Sequence, residues 1–109
     1  MADEFHGKTV LIPGGGRGIG YAAGAMMARG GANVALADVV VDRAQEAAAS
    51  LKDETGAETL GIACDITDME QVKHMVAKTE TALGPVNVMV NTAAIVADKT
   101  FMESTPDDW

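Results

Sequence analysis

Four short β-branched, apolar runs alternate with three stretches of helical character, and this order restricts the fold more than any single residue does. The runs are TVLI (9–12), ANVALA (32–37), TLGIA (59–63) and VNVMV (86–90), and they read as strands. The second and fourth carry almost no charge, as expected of strands covered on both faces. The stretch at 18–29 is rich in Ala and Met. In the stretch at 43–54, Ala44, Ala47, Ala48 and Leu51 fall on one stripe. In the stretch at 68–83, Val72, Met75, Val76, Thr79 and Leu83 share a face. Strands separated by crossover helices imply a parallel sheet with right-handed connections, hence an α/β fold in three layers.

The third helix has the clearest punctuation. Thr67, with Glu70 three residues later, matches a capping box. Gly84-Pro85 supplies a left-handed stop followed by a residue that cannot continue a helix. STPDDW reads as a further helix start, with Thr105 as N-cap and Pro106 in the first position, so the chain is expected to be truncated after its fourth strand. Gly24, inside the first helix, carries an expected cost of about 1 kcal/mol relative to alanine.

At 109 residues the whole chain, 1–109, is expected to be one partial domain. Only four residues are aromatic, so the core must come from Ala, Val, Ile, Leu and the seven methionines. Met26, Met27 and Met75 read as core filling. Sixteen acids against eight basic residues give a net charge of -8, which argues against a nucleic-acid or anionic membrane partner. The single cysteine, Cys64, allows no internal disulfide and reads as a small buried group. The start, MADEFHGK, has no apolar signal region, and no apolar run approaches the roughly 20 residues that span a bilayer. A cytoplasmic location is expected. His6, His74 and Cys64 form no metal-ligand spacing, and His74 reads as a solvated or boundary residue.

Between the first strand and first helix lies IPGGGRGIG, with five glycines in residues 14–20. A helix N-terminus offers free N–H groups and a partial positive charge, which favours a phosphate. Gly14 can make the turn off the strand, Gly18 can let backbone approach a diphosphate, and Gly20 can let the helix pack closely. Taken alone, the loop is equally a tight strand–helix turn. Asp38 ends the second strand, 18 residues past Gly20, where an acid can accept from both hydroxyls of an adenosine ribose. Its alternative role is an acidic cap for the loop into the second helix. Together, in this order on a βαβ unit, loop and acid favour dinucleotide binding.

On these residues the sequence resembles the short-chain dehydrogenase/reductases. PGGGRGIG looks like their T-G-x-x-x-G-x-G signature, CDIT (64–67) like their adenine-contacting Asp-Val/Ile pair, and VNTAA (90–94) stands where they carry N-N-A-G. The resemblance runs from about Lys8 to Trp109 and implies a Rossmann-like fold with NAD as cofactor. By that resemblance Gly14, Gly18 and Gly20, with Arg17 and Ile19 between them, would hold the pyrophosphate. Asp38 would hold the adenosine ribose, and Asp65 with Ile66 would address the adenine. Asn91 and Ala93 would lie beside the nicotinamide ribose. The alternatives are that Asp65 caps the turn into the third helix and Asn91 bonds backbone across strands. Arg17 could pair with the 2′-phosphate of NADP, but a carboxylate at Asp38 repels that phosphate, so NAD is favoured.

Three positions leave the family pattern: Pro13 replaces the usual threonine, and Thr92 and Ala94 replace an asparagine and a glycine. The family's catalytic Asn, Ser and Tyr-x-x-x-Lys would all follow Trp109. The one tyrosine, Tyr21, has Ala25 where a lysine would be needed, so no catalytic residue is assigned. The function implied is the dinucleotide-binding part of an oxidoreductase that interconverts an alcohol and a carbonyl. Its partner would be a small-molecule alcohol or carbonyl, and the open sheet flank implies self-association. The alternatives are a non-catalytic dinucleotide-binding or assembly module, and a methyltransferase, which also uses a glycine loop and an acid after its second strand.

Overall fold

The structure is a computed structural model that describes residues 4–91. Its elements are β1 (Thr9–Pro13), α1 (Gly18–Arg29), β2 (Asn33–Asp38), α2 (Val41–Thr55), β3 (Thr59–Ala63), α3 (Met69–Leu83) and β4 (Val88–Met89). The strands form one parallel sheet in the order β3-β2-β1-β4.

Alternation along the two central strands divides the core. Val10, Ile12, Val34 and Leu36 point to one face and pack with Ala25 and Ala28 of α1 and Ala47 and Leu51 of α2. Leu11, Ala35 and Ala37 point to the other, where they meet Ile62, Cys64 and Met75 of α3. The result is the expected three layers. Both central strands, β1 and β2, are buried on both faces, as expected of the second run. The fourth run does not follow that expectation: among the described residues β4 pairs only with β1, Val88 is half-buried and Met89 is exposed.

Small residues let the helices sit close. A Cβ on Gly61 of β3 would lie 2.5 Å from the Ala44 carbonyl oxygen, so α2 rests directly on strand backbone. Gly24 has the same explanation. Its Cβ would come 3.2 Å from Leu36 and 3.3 Å from Ile12, so close helix–sheet packing offsets the expected loss of helix propensity.

Several expectations are corrected. The N-cap of α3 is Asp68, whose side chain accepts from the Glu70 and Gln71 N–H groups, and Thr67 instead donates to Asp65. A carboxylate directly before the first helical residue out-competes a hydroxyl one position earlier. Gly84 ends α3 at φ 107 and ψ 176, which is glycine territory but not a left-handed helical turn. Met26 is 61% exposed, whereas Met75 is fully buried and Met27 packs against the core. β4 is shorter than expected, Val88 and Met89 being the residues in register with Val10 and Leu11, and the Asn87 side chain accepts from the Thr9 N–H at 2.8 Å beside them. The helix start at Thr105 and residues Thr92, Ala93 and Ala94 lie outside the described residues.

Pro13 closes β1, fully buried and paired in register with Ala37. Alternate β1 residues bond to opposite neighbours. Asn33 donates to the Lys8 carbonyl and Gly14 donates to Ala37, so even positions serve β2. Asn87 and Val90 donate to the Thr9 and Leu11 carbonyls, so odd positions serve β4. The N–H that proline lacks therefore belongs to the β4 side, and the β1–β2 ladder is intact. Among the described residues no helix is long and apolar enough to cross a membrane.

Candidate functional site

The strand order reverses at β1: β2 and β3 lie on one side and β4 on the other. In open α/β sheets ligands bind at such a switch point, outside the carboxyl ends of the strands. The glycine loop follows β1 there, and Asn91 follows β4 there, half-buried.

The loop glycines divide by task. Gly14 (φ 78) and Gly18 (φ 62) adopt backbone conformations that side chains disfavour. A Cβ on Gly18 would meet nothing within 4 Å, so its outer side is open space. Gly15 and Gly16 serve close approach instead. A Cβ on Gly15 would sit 2.7 Å from the Ile12 carbonyl oxygen and from Leu36. One on Gly16 would sit 2.5 Å from Asp38 Oδ2 and 2.9 Å from Arg43 Cγ. Gly20, inside α1, is buried, and Ile19 is 72% exposed at the mouth of the loop.

The loop delivers the chain into α1 with its N-terminus unsatisfied. Arg17 occupies the N-cap position in extended conformation, without a side-chain cap, and the first turn holds no acid. The first main-chain donor used within the helix is Tyr21, to the Arg17 carbonyl at 3.4 Å. The N–H groups of Gly18, Ile19 and Gly20 precede it at the positive end of the helix dipole. Such an end suits an anion.

Asp38 stands at the end of β2, 7% exposed, with Oδ2 against Gly16. Its Oδ1 accepts from the Val40 N–H at 3.0 Å and from Arg43 Nη1 at 3.3 Å. The capping alternative is thus realised on one oxygen, and the other faces the glycine loop. The Asp38 carbonyl accepts from the Cys64 N–H at 2.9 Å, which places Asp65 and Ile66 on the neighbouring strand end.

Asp65 is exposed, and its Oδ1 accepts from the Thr67 hydroxyl at 2.6 Å and from the Thr67 N–H at 2.9 Å. The hydroxyl bond, then the N–H bond, hold its carboxyl below the ordinary carboxylate range. The turn role foreseen as an alternative is therefore present. Ile66 is half-buried against the α3 side of the core. Cys64 is buried, and burial, then the charges of Asp65 and Asp68, push its thiol up. His74 is exposed. The Tyr21 hydroxyl engages Ser50 and Glu54 of α2, both at 3.1 Å, away from the loop. No group of three or more metal-ligating side chains occurs among the described residues.

Arg43 is the residue that sequence reasoning missed. Attention to the loop pointed to Arg17, which is exposed, whereas the cation on Asp38 comes from the first turn of α2. The usable signal was the five-residue step from a strand-ending acid to a helix's opening turn.

A family model described as short chain dehydrogenase matches residues 8–109. A sorbitol dehydrogenase of Cereibacter sphaeroides is 36% identical over 106 residues, covering 97% of this chain and 40% of that protein. An uncharacterized oxidoreductase of Thermotoga maritima is 34% identical, covering 96% of this chain and 41% of that protein. Among solved structures, L-sorbose reductase from Gluconobacter frateurii, complexed with NADPH and L-sorbose, superposes with a TM-score of 0.81 at 34% identity. That match covers 100% of this chain and 41% of the reductase. The chain thus spans about two fifths of the length of these relatives, and it belongs to the short-chain dehydrogenase family.

Proposed function

We propose that this chain is the nucleotide-binding part of an NAD-dependent oxidoreductase that interconverts an alcohol and a carbonyl. The observation that carries the reading is an α1 N-terminus with neither a cap nor an acid, set beside a nearly buried Asp38 pressed on Gly16. The fit is specific: a side chain at Gly16 would fill the space between loop and acid. In this reading Gly14, Arg17, Gly18, Ile19 and Gly20 hold the pyrophosphate. Asp38 takes the adenosine ribose hydroxyls, Asp65 and Ile66 line the adenine, and Asn91 and Ala93 stand on the nicotinamide side. The bound dinucleotide supplies the hydride acceptor or donor. This segment binds and orients it, and the proton donor at the substrate oxygen comes from elsewhere in the protein.

NAD is favoured over NADP because Asp38 would have to sit beside a 2′-phosphate of like charge. The family extends to NADPH, as the sorbose reductase complex illustrates. Cytoplasmic location is part of the reading, supported by a lone buried cysteine. Self-association is part of it too: among the described residues β4 pairs only with β1, and Met89 is exposed on that edge.

Titration of the intact protein with NAD and NADP tests the reading, followed by turnover of a secondary-alcohol and ketone panel that begins with sorbitol and L-sorbose. Saturable NAD binding with turnover supports it. NAD binding with no turnover on any substrate favours a non-catalytic module, and no dinucleotide binding refutes both.

A further inference from the structure

The buried face of α1 is made of Gly20, Gly24, Ala25 and Ala28. Gly20, Gly24 and Ala28, at every fourth position, form one row of small residues. Such a row lets the helix lie close to the sheet, but it has no large side chain to lock the helix against sliding along its axis. The preceding loop is a weak anchor too: Gly14 and Gly18 sit at positive φ, and Arg17 makes no side-chain cap bond. Ties made at the flank of α1 therefore carry weight in fixing its position.

Those ties converge on Glu54 of α2. The Tyr21 hydroxyl, in the first turn of α1, lies 3.1 Å from Glu54 Oε1 and 3.1 Å from Ser50 Oγ. Ser50 donates to the same Glu54 oxygen at 3.3 Å. Arg29, the last residue of α1, lies 3.9 Å from Glu54 Oε2. That ion pair is long and its side chains are 65% and 46% exposed, so it contributes little. The Tyr21 bond is better placed. A carboxylate only accepts, so the phenol donates to it, and the Tyr21 ring packs against the core shared by α1 and α2. Tyr21 also follows directly on Gly18, Ile19 and Gly20, whose N–H groups form the open helix end.

We propose that Tyr21 is a positioning residue, whose hydroxyl bond to Glu54 fixes where the first-turn amides of α1 meet the diphosphate. The role rests on the dinucleotide reading above. Tyr21 touches no part of the ligand in this account. It acts through the helix, by tying the first turn of α1 to the far end of α2. The charge of Glu54 is not what matters, because the Arg29 pair is solvent-screened; an oxygen able to accept from the phenol is.

The test measures NAD and adenosine dissociation constants in the intact wild-type protein, in Tyr21→Phe and in Glu54→Gln. Tyr21→Phe keeps the ring in the core and removes the donor. It should weaken NAD by roughly three- to tenfold, the scale of one net hydrogen bond. Adenosine, which has no diphosphate, should stay within about twofold, a split that a general loosening of the fold would not produce. Glu54→Gln removes the charge and keeps an acceptor, so its NAD affinity should also stay within about twofold of wild type. Unchanged NAD affinity in Tyr21→Phe overturns the role of Tyr21 while leaving the dinucleotide site standing. Equal weakening of NAD and adenosine overturns it as well, because Tyr21 would then only support the fold. A loss in Glu54→Gln as large as that in Tyr21→Phe overturns the assignment to the phenol bond and gives it to the carboxylate charge. A wild-type protein that binds neither ligand overturns the underlying reading itself.

Discussion

The N-termini of α1 and α3 are built from similar short loops after parallel strands, yet they are finished in opposite ways. At α3, Asp68 accepts from the Glu70 and Gln71 N–H groups, and Glu70 adds an acid to the first turn. The Gln71 side chain reaches back, its Oε1 accepting from the Asp65 N–H and its Nε2 donating to Asp68. The Glu70 and Gln71 N–H groups of that start are thus occupied by the chain's own polar groups. At α1 the cap position is Arg17, whose side chain makes no cap bond, and the first turn is Gly-Ile-Gly. A helix start that forgoes a cap loses about 1 kcal/mol. The loop also holds two glycines at positive φ, so local stability is given up twice at one place. In the proposed reading it is the open end beside Asp38, and not merely the glycine content, that receives the diphosphate; α2 also starts without a side-chain cap but has Asp42 in its first turn.

The comparison can be broken from either side. The largest effect is expected at Asp38→Ala, which removes the proposed ribose acceptor and should weaken NAD binding by roughly 10- to 100-fold, measured by calorimetry. A change under twofold would move the ribose away from β2. Next comes Asp68→Ala, which uncaps α3 and should lower unfolding stability by about 1 kcal/mol in denaturant titration. Its NAD affinity should stay within about twofold, and a large loss there would make α3 part of the site. Pro13→Thr restores a donor and a hydroxyl at the mouth of the loop and should tighten NAD by a few-fold, on the order of one hydrogen bond. Unchanged affinity would show that the donor on the β4 side plays no part.

The smallest effect is a pH dependence at Asp65. Its folded pKa is depressed by the Thr67 hydroxyl and N–H, so its contribution to stability is present above the ordinary carboxylate range. That contribution is lost as pH falls through the lowered folded value. Asp65→Asn should therefore flatten the acid limb of the stability curve slightly, and an identical limb in both proteins would deny the turn any energetic role.

Much of the fold was legible in the sequence because two periodicities compete cleanly in it. Ala44, Ala47, Ala48 and Leu51 form the buried stripe of α2 as expected, and β2 shows its apolar run for the reason given, whereas the equally apolar fourth run leaves Met89 exposed. What was not legible depended on contacts between segments. The Asp68 cap and the Thr67-to-Asp65 bond are chosen by loop geometry, where two adjacent residues could each have served. Met26 looks like core by composition, but its position on α1 turns it outward. Gly24 reads as a helix weakness until Ile12, Val34 and Leu36 are seen beneath it. At the site, Asp38 was visible as an acid ending a strand, whereas Gly16 and Arg43 acquire meaning only once β2 and α2 bring them onto its carboxylate. Ion pairs across a strand–helix junction leave no periodic trace.

The most direct test of the open helix end is amide NMR of the intact protein during addition of NAD. The N–H resonances of Gly18, Ile19 and Gly20 should move in a saturable manner, while those of Glu70 and Gln71, already bonded to Asp68, should hold still. Saturation by NAD with the α1 amides unmoved, or with the larger shifts at the α3 start, would contradict the account.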